Sequence, residues 1–445
     1  MANEEGGSSG FLDTVEAIIK EYWIYIAFTI ALFFLWKNNL LYGLVKGLLP
    51  LVGVVILGRL AWRLWIHYIQ QDFISGIDFV VLEIIPPRDV LRSPKSMELF
   101  LTNALYHMST KGGKEEYWQG AVWFWFSLEI ASIEGQVHFY IRTPTRVRSL
   151  IETQMYAQYP QAQVKAVEDY TLAVDEISPT SAWNGWGCEF AVEKPEAFPI
   201  KTYVDFGLDK DPKEEYKVDP ISPVIELFGS LKKGEQMWMQ IVITPSKKKF
   251  HDKGHRHHWL PTSKHHDWVE ESRLQIEKLL KPFTRYHDNP VEGGYSAEIR
   301  APGFLDNVVK AASAKTSKVG FDTGIRVFYA AKKEVYNMSN RRNLRLIFRQ
   351  YAKPDCNQLE RCNSTQGDAY SGIFSASPKT VMILANRMLN EFRERSFFHE
   401  SLRQQIFSKP HMPWPSDGIF RAYFHPHIFV LNTEEIATLW HFPGQ

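Results

Sequence analysis

The sequence has few cysteines, almost no net charge and none of the common catalytic motifs. Its three cysteines, Cys188, Cys356 and Cys362, are too sparse and too odd a set for a disulfide-stabilised extracellular domain. No CxxC pair occurs, which argues against a structural zinc site, so the pattern indicates reduced thiols in a cytosolic domain. With 51 basic and 50 acidic residues, the overall charge indicates no polyanionic partner.

The missing motifs exclude several enzyme classes. There is no G-x-x-x-x-G-K-[ST] phosphate-binding loop, no G-x-S-x-G and no H-E-x-x-H. Glu98, Glu129 and Asp169 could supply paired carboxylates, but their spacing does not require it. The sequence therefore predicts a protein that is not an enzyme and that carries no cofactor.

The N-terminal region contains two long apolar runs. Residues 1–17 are read as a flexible leader, and the absence of a basic n-region argues against a cleaved signal peptide. The first run, 18–36, is long enough to span a bilayer, and the second, 40–65, spans it if Lys46 and Arg59 extend to opposite interfaces. We therefore expect a transmembrane hairpin over 18–70. The alternatives are one span followed by an interfacial amphipathic helix, or burial of both runs in a core.

The orientation of that hairpin follows from its flanking charges. Arg59, Arg63 and His67 come at the end of the second run. By the positive-inside rule this places the remainder of the chain in the cytoplasm, so we expect an inner-membrane protein.

Residues 117–142 show the clearest strand pattern in the chain. Two runs of alternating apolar residues flank Ser132-Ile133-Glu134-Gly135, where glycine suits the positive φ of a hairpin turn. One face is apolar. The other face is expected to be open and to dock another protein; it carries Trp123, Trp125, His138 and Tyr140.

The hairpin belongs to a longer pattern of strand, helix, strand, strand, helix, strand over 72–172. That order is typical of a ferredoxin-like (βαββαβ) domain, in which two helices cover one sheet face. A similar pattern over 180–360 predicts a second such domain, with strands near 188–193 and 200–206 and a helix over 340–350. The predicted class is thus α+β: two transmembrane helices followed by tandem ferredoxin-like domains. Residues 365–445 form a C-terminal segment with helices over 378–395 and from Thr433.

The second domain carries a basic, histidine-rich insert at 246–266. A metal site using His255, His257 and His258 lacks acidic or cysteine partners at zinc spacing. Contact with lipid headgroups or nucleic acid is an alternative, and a solvated basic loop is the favoured interpretation. The basic residues concerned are Lys247, Lys248, Lys249 and Arg256.

A second basic feature is the row Arg341, Arg345 and Arg349, spaced i, i+4, i+8. Such a row occurs in nucleic-acid-binding helices. It is equally typical of a solvated helix face, which is the favoured interpretation.

Several stretches together resemble one family. They include SPKSMELFL, QVHFYIRTP, YAQYPQAQVKAVEDY, DPISPVIELFGSLKKGEQMWMQIVI and VLNTEEIATLWHFPG. The chain resembles the membrane-anchored N-terminal region that precedes the motor in conjugative-transfer, type IV secretion-like ATPases of bacteria with reduced genomes. The resemblance covers about 78–444, and the P-loop motor of that family is absent from this sequence.

The resemblance implies a non-enzymatic platform that docks to itself or to a separate secretion or conjugation ATPase, as a homo-oligomer. The junction with the motor would lie at 433–442 and would use Glu434, Leu439, Trp440 and Phe442. The competing hypothesis from the residues is a metal-dependent or nucleic-acid-processing enzyme that uses the histidine-rich insert.

Overall fold

The computed structural model describes residues 40–87, 92–106, 113–209, 218–246, 268–289, 294–299, 302–365, 378–395, 397–399 and 426–444. The histidine-rich insert and the first apolar run therefore lie outside the described residues. By packing the chain divides into two units, one of residues 1–72 with 117–120 and the other of 73–116 with 121–445.

The described part of the first unit is built on one long helix, α1 (Leu40–Ser75). Trp62 and Trp65 of α1 contact Tyr117 and Trp118, with ring centroids 5.9 and 6.1 Å apart. Among the helices that the structure describes, none is both long enough and apolar enough to cross a membrane. The prediction of two transmembrane helices is therefore wrong for the second run, where Arg59 and Arg63 interrupt the apolar sequence.

The second unit is α+β and contains a nine-stranded antiparallel sheet. Its strands are β1 (Phe79–Ile85), β2 (Phe126–Ile133), β3 (Gln136–Pro144), β4 (Gln163–Val167), β5 (Trp183–Val192), β6 (Glu235–Pro245), β9 (Gly320–Lys332), β10 (Leu359–Ser364) and β11 (Phe429–Asn432). A separate hairpin pairs β7 (Thr284–Asn289) with β8 (Gly294–Ile299).

Helices pack on both faces of the sheet. After α1 the described α-helices are α2 (Lys95–Phe100, extended by a π-helical turn to Leu105), α3 (Gly113–Trp118), α4 (Arg148–Gln158), α5 (Ser222–Gly229), α6 (Trp268–Leu280), α7 (Gly303–Thr316), α8 (Met338–Arg345), α9 (Pro378–Glu394) and α10 (Thr433–Leu439). Of these, α3 has no buried side chain. The larger core lies on the face that meets α2, α4, α5 and α10. The opposite face packs against α9 and the segment 170–177.

The strand order β10-β5-β9-β6-β2-β3-β1-β4 shows how the two halves join. Each half has the order fourth, first, third, second, which arises when two β-α-β crossovers interlock. The two second strands, β2 and β6, then pair along eight residues from Phe126↔Ile243 to Ile133↔Gln236. Backbone hydrogen bonds between β2 and β6 therefore make the two predicted ferredoxin-like units halves of one continuous sheet.

The predicted hairpin turn between β2 and β3 is confirmed. Glu134 and Gly135 have φ of 54° and 89°, the left-handed pair that matches the twist of a two-residue hairpin. A side chain at Gly135 would also meet the carbonyl oxygen of Leu231 at 2.7 Å. Glycine is thus required both by conformation and by close approach.

The strand predicted at 200–206 is a series of turns instead. The amide of Ile200 donates to the Glu435 carboxylate, and the amide of Tyr203 donates to the Thr438 hydroxyl at 2.8 Å. Side chains of α10 therefore take hydrogen bonds that a neighbouring strand would otherwise receive.

Candidate functional site

A row of polar side chains crosses the whole sheet at one level. Each member is the direct cross-strand partner of the next, from β4 at one edge to β10 at the other. We call this set the polar row: Lys165, Glu83, Tyr140, Glu129, Gln240, Arg326, Glu189 and Asn363. Its ends reach solvent, whereas its centre is fully buried beneath α9.

Arg326 is the positive centre of the half of the row that lies on β5 and β9. Its guanidinium donates to Glu189 at 2.5 Å and to the Glu391 carboxylate of α9 at 3.0 Å. Asn363 donates to the other oxygen of Glu189 at 2.6 Å. Two carboxylates therefore share one buried arginine.

Arg395 plays the equivalent part in the other half. It follows α9 directly, is fully buried, and binds Glu129 through Nε at 2.9 Å and through Nη2 at 3.1 Å. The same guanidinium also binds Asp169. Tyr170 donates to Glu129 at 2.8 Å, and Gln240 donates to it at 3.1 Å. Glu129 is thus held by four side chains, the fourth being Ser127 at 2.5 Å.

The row also receives the C-terminal end of α9. Arg326 donates to the carbonyl oxygen of Glu391, and Gln240 donates to that of Phe392. Arg395 donates to the carbonyl oxygen of Arg393. The last carbonyls of a helix have no partner within the helix and carry partial negative charge, so these donors fix α9 to the sheet.

Burial and ion pairing set the proton affinities here. Burial would raise the pKa of Asp169, but the hydrogen bonds and charge of Arg395 outweigh it and hold that pKa below its ordinary value. Burial also disfavours charge on Arg395, yet Glu129 and Asp169 raise its pKa above the ordinary arginine value. The pKa of the Tyr170 hydroxyl is raised by burial and by Glu129. With these pKa shifts, Asp169 stays ionised, Arg395 stays protonated and Tyr170 stays neutral over the neutral pH range.

Glu391 is the exception. Burial raises its pKa to about 8; Arg326 opposes this rise, and Glu189 adds to it. Arg387 and Glu394, also on α9, have smaller effects: Arg387 lowers the pKa of Glu391 and Glu394 raises it. The folded protein therefore binds this proton more tightly than the unfolded chain does, which stabilises the fold at low pH.

We expect this stabilisation to be complete below the ordinary pKa of glutamate and to be lost as the pH rises through about 8. In urea unfolding at a series of pH values, the free energy of unfolding should fall more steeply between the ordinary pKa of glutamate and about pH 8 in the wild type than in Glu391→Gln. Glu360→Gln, at an exposed position on β10, is the matched control and should keep the wild-type slope. An unchanged slope in Glu391→Gln would show that another group titrates.

The chemistry of the polar row is that of an internal clamp. Its central charges pair with one another, and α9 and segment 170–177 exclude water from them. Such groups hold elements in register rather than receive a substrate.

A second set of buried polar contacts fixes the C-terminal residues, which we call the strap (429–444). The ammonium of Lys315 binds Glu435 at 3.1 Å, and both side chains have no solvent exposure. Asn432 and Glu435 form a reciprocal capping box at the start of α10. The helix predicted from Thr433 is confirmed, and Asn432 is its N-cap.

The predicted motor-junction residues lie within this strap. Leu439, Trp440 and Phe442 are buried in the main core, where the Trp440 indole donates to the carbonyl oxygen of Glu129 at 3.2 Å. Glu434 is partly exposed and pairs with Lys318 at 2.7 Å. Three of the four side chains therefore have no surface left for docking in this conformation.

The predicted open face is also largely covered. Trp125 precedes β2 and is buried against Phe79 and His399. Tyr140 is buried and stacks on Tyr170 at 4.7 Å. Trp123 is partly exposed, as is His138, which binds Glu83 at 2.7 Å. The expectation of an uncovered aromatic face fails because α9 and segment 170–177 occupy it.

Of the two predicted basic features, the structure describes the arginine row but not the basic residues of the histidine-rich insert. Lys247, Lys248, Lys249 and Arg256, and with them His255, His257 and His258, lie outside the described residues. In the described ranges no group of three or more metal-ligating side chains is placed to hold an ion. Arg341 and Arg345 lie on α8, which ends at Arg345, so Arg349 is not on the same helix and the predicted row is wrong.

Sequence reasoning missed most of the polar row. Glu129 and Asp169 were considered as a carboxylate pair, and the structure does bring them together at Arg395. Glu189, Gln240 and Arg326 were not singled out, although each is a polar residue within an otherwise apolar strand. A polar residue within an apolar strand is the sequence signal that could have identified these members of the polar row.

Comparison with known proteins gives one family. No curated protein matches the chain, and the resemblance to secretion ATPases stays a prediction. The model of a family described as "Domain of unknown function (DUF8128)" matches residues 80–397, which include β1, both halves of the sheet and α9 with its buried clamp. The chain belongs to the DUF8128 family.

Proposed function

We propose that the protein is a non-catalytic platform that attaches to a larger assembly through apolar contacts made by α1. The observation that carries this proposal is the exposure of α1. Nine of its large apolar side chains are between 39 and 70% exposed: Val54, Val55, Ile56, Leu57, Leu60, Trp62, Leu64, Trp65 and Tyr68. We call these nine residues the α1 surface.

Such a surface is unusual for a protein that works alone. Single exposed apolar residues are common, but contiguous apolar patches on monomers are small, and larger ones mark interaction sites. Here all nine residues fall within four to five turns of one helix. Their burial on attachment would remove a large apolar area from water, which is the main driving force for association.

The second unit has the properties of a rigid support. Its two halves share one sheet, the polar row fixes α9 across both halves, and the strap closes the main core. A buried polar network favours one packing arrangement when its members are hydrogen-bonded. In the polar row the carboxylates and the guanidinium group are so bonded, whereas Gln240 Oε1 is buried and has no partner among the described residues. A single stable body joined covalently to an exposed apolar helix is the arrangement that a platform requires.

We expect the full chain to self-associate in aqueous buffer through the α1 surface. Light scattering after size-exclusion chromatography should give a mass well above the 51.6 kDa of one chain. The triple variant Leu57→Gln, Leu60→Gln, Leu64→Gln should shift the distribution towards the monomer, because it replaces three exposed apolar side chains by polar ones.

Leu172→Gln is the matched control, since Leu172 is 70% exposed but lies outside α1. It should leave the distribution unchanged. A wild-type chain that elutes as a monomer, or a triple variant that associates like the wild type, contradicts attachment through α1.

A further inference from the structure

Resting on the proposed function, we infer that the partner of the α1 surface is the surface of an anionic lipid bilayer. Two properties of the first unit support this inference: an exposed aromatic cluster, and basic residues within the apolar α1 surface. The contact is with the polar–apolar boundary of the bilayer and requires no helix to cross it.

The aromatic cluster joins α1 to the end of α3. Its five members are Trp62, Trp65, Tyr68, Tyr117 and Trp118, and all are exposed. Trp65 and Trp118 meet edge to face, and the Trp65 indole donates to the carbonyl oxygen of Tyr117 at 3.2 Å. Tryptophan and tyrosine, with an apolar ring and a polar tip, are the residues that concentrate at the boundary between lipid chains and headgroups.

Between Leu40 and Gln71 the charge of α1 has one sign, and the acidic residue of the helix, Asp72, lies in its last turn. From Leu40 to Gln71 the sequence contains Lys46, Arg59 and Arg63 and no aspartate or glutamate. Arg59 and Arg63 are exposed. Basic residues beside a membrane are attracted to anionic headgroups, by about 1 kcal/mol each.

Three leucines of α1 lie on a different side of the helix from its two arginines. Leu57, Leu60 and Leu64 follow i, i+3, i+7 spacing and share one face. Arg59 and Arg63, at i, i+4 spacing, share another. Val55, Ile56 and Trp62 flank the arginines, so exposed apolar side chains surround them. Arginines within such a surface can extend their guanidinium groups to lipid headgroups while their apolar stems stay against the lipid chains.

The same charges make a second copy of the chain a weaker partner than anionic lipid, so the self-association expected in aqueous buffer is the weaker of the two contacts. Two α1 helices in contact would bring Arg59 and Arg63 of both copies into one region, while the acidic residue of α1, Asp72, lies nine positions beyond Arg63. Like charges brought together at an interface oppose association. Anionic lipid supplies the complementary charge.

The test is sedimentation of the full chain with two kinds of vesicle, phosphatidylcholine alone and phosphatidylcholine with phosphatidylglycerol. We expect binding to the anionic vesicles that weakens at high salt, because salt screens the headgroup charge. Arg59→Gln with Arg63→Gln should reduce the partition constant about fivefold for each arginine. Both positions are exposed, so the substitution leaves packing intact.

Tyr68→Ala should also weaken vesicle binding, since it removes an exposed ring, whereas Leu172→Gln should not. Equal binding to both vesicle types, or binding that the arginine variant leaves unchanged, overturns the anionic-lipid inference. Absence of vesicle binding combined with self-association that the leucine triple variant abolishes also overturns it, yet leaves the platform proposal standing. If the α1 variants change neither association nor vesicle binding, both fail.

Discussion

Replacement of Arg395 by methionine should destabilise the protein by roughly 3–5 kcal/mol, the range found when one partner of a buried ion pair is removed. Arg395 is fully buried and is bound by Glu129 and Asp169. Methionine fills much of the same volume but leaves both carboxylates without their cation. The measurement is the free energy of unfolding from urea titration, at constant pH.

Two further variants test whether the loss of stability in Arg395→Met comes from the unpaired carboxylates. Arg342→Met, at an exposed position on α8, should change stability by no more than about 0.5 kcal/mol. Adding Glu129→Gln and Asp169→Asn to Arg395→Met should recover part of the loss, because the unpaired charges are removed. A loss below about 1 kcal/mol in Arg395→Met would mean that the row does not fix α9 as described.

Replacement of Lys315 by methionine should have an effect of similar size, roughly 3–5 kcal/mol. Lys315 and Glu435 form an ion pair with no solvent exposure, and the same ammonium donates to the carbonyl oxygen of Val430 at 3.1 Å. Its loss leaves the Glu435 charge buried beneath α7. Since these contacts hold the strap, the loss should appear there first.

Hydrogen–deuterium exchange distinguishes this local effect from a general one. Peptides from 429–444 should exchange faster in Lys315→Met than in the wild type, and more so than peptides from β2 and β6. Lys310→Met, at an exposed position on the same helix, should resemble the wild type. Unchanged exchange in the strap would contradict the role given to this pair.

Local sequence patterns predict a helix or a hairpin well where residues close in sequence determine its backbone conformation. Alternation along 126–144 and a glycine at position 135 are sufficient to specify a hairpin, and the structure has it. The same holds for α9, where apolar residues recur at helical spacing. In these cases neighbouring residues determine the backbone conformation.

The covered sheet face could not be predicted in the same way. Tyr140 meets Tyr170, and Glu129 meets Arg395 from 266 positions further along the chain. No local pattern specifies such a contact. One signal was nevertheless present: α9 carries an apolar stripe that had to be buried, and the sheet face assigned as open was an available surface. The stripe consists of Leu384, Ala385, Met388, Leu389 and Phe392.

The joining of the two halves was missed for a related reason. Either half alone accounts for its own strand order, and the pairing of β2 with β6 depends only on backbone groups at two strand edges. An unpaired edge is prone to recruit another strand. The sequence shows two similar patterns but does not show whether their edges meet.

The most direct test of the account is hydrogen–deuterium exchange of the full chain with and without detergent micelles. We expect added protection in peptides from 53–70, which contain the α1 surface, and no change in peptides from the sheet. Added protection in the sheet or the strap, with none in 53–70, would contradict attachment through α1.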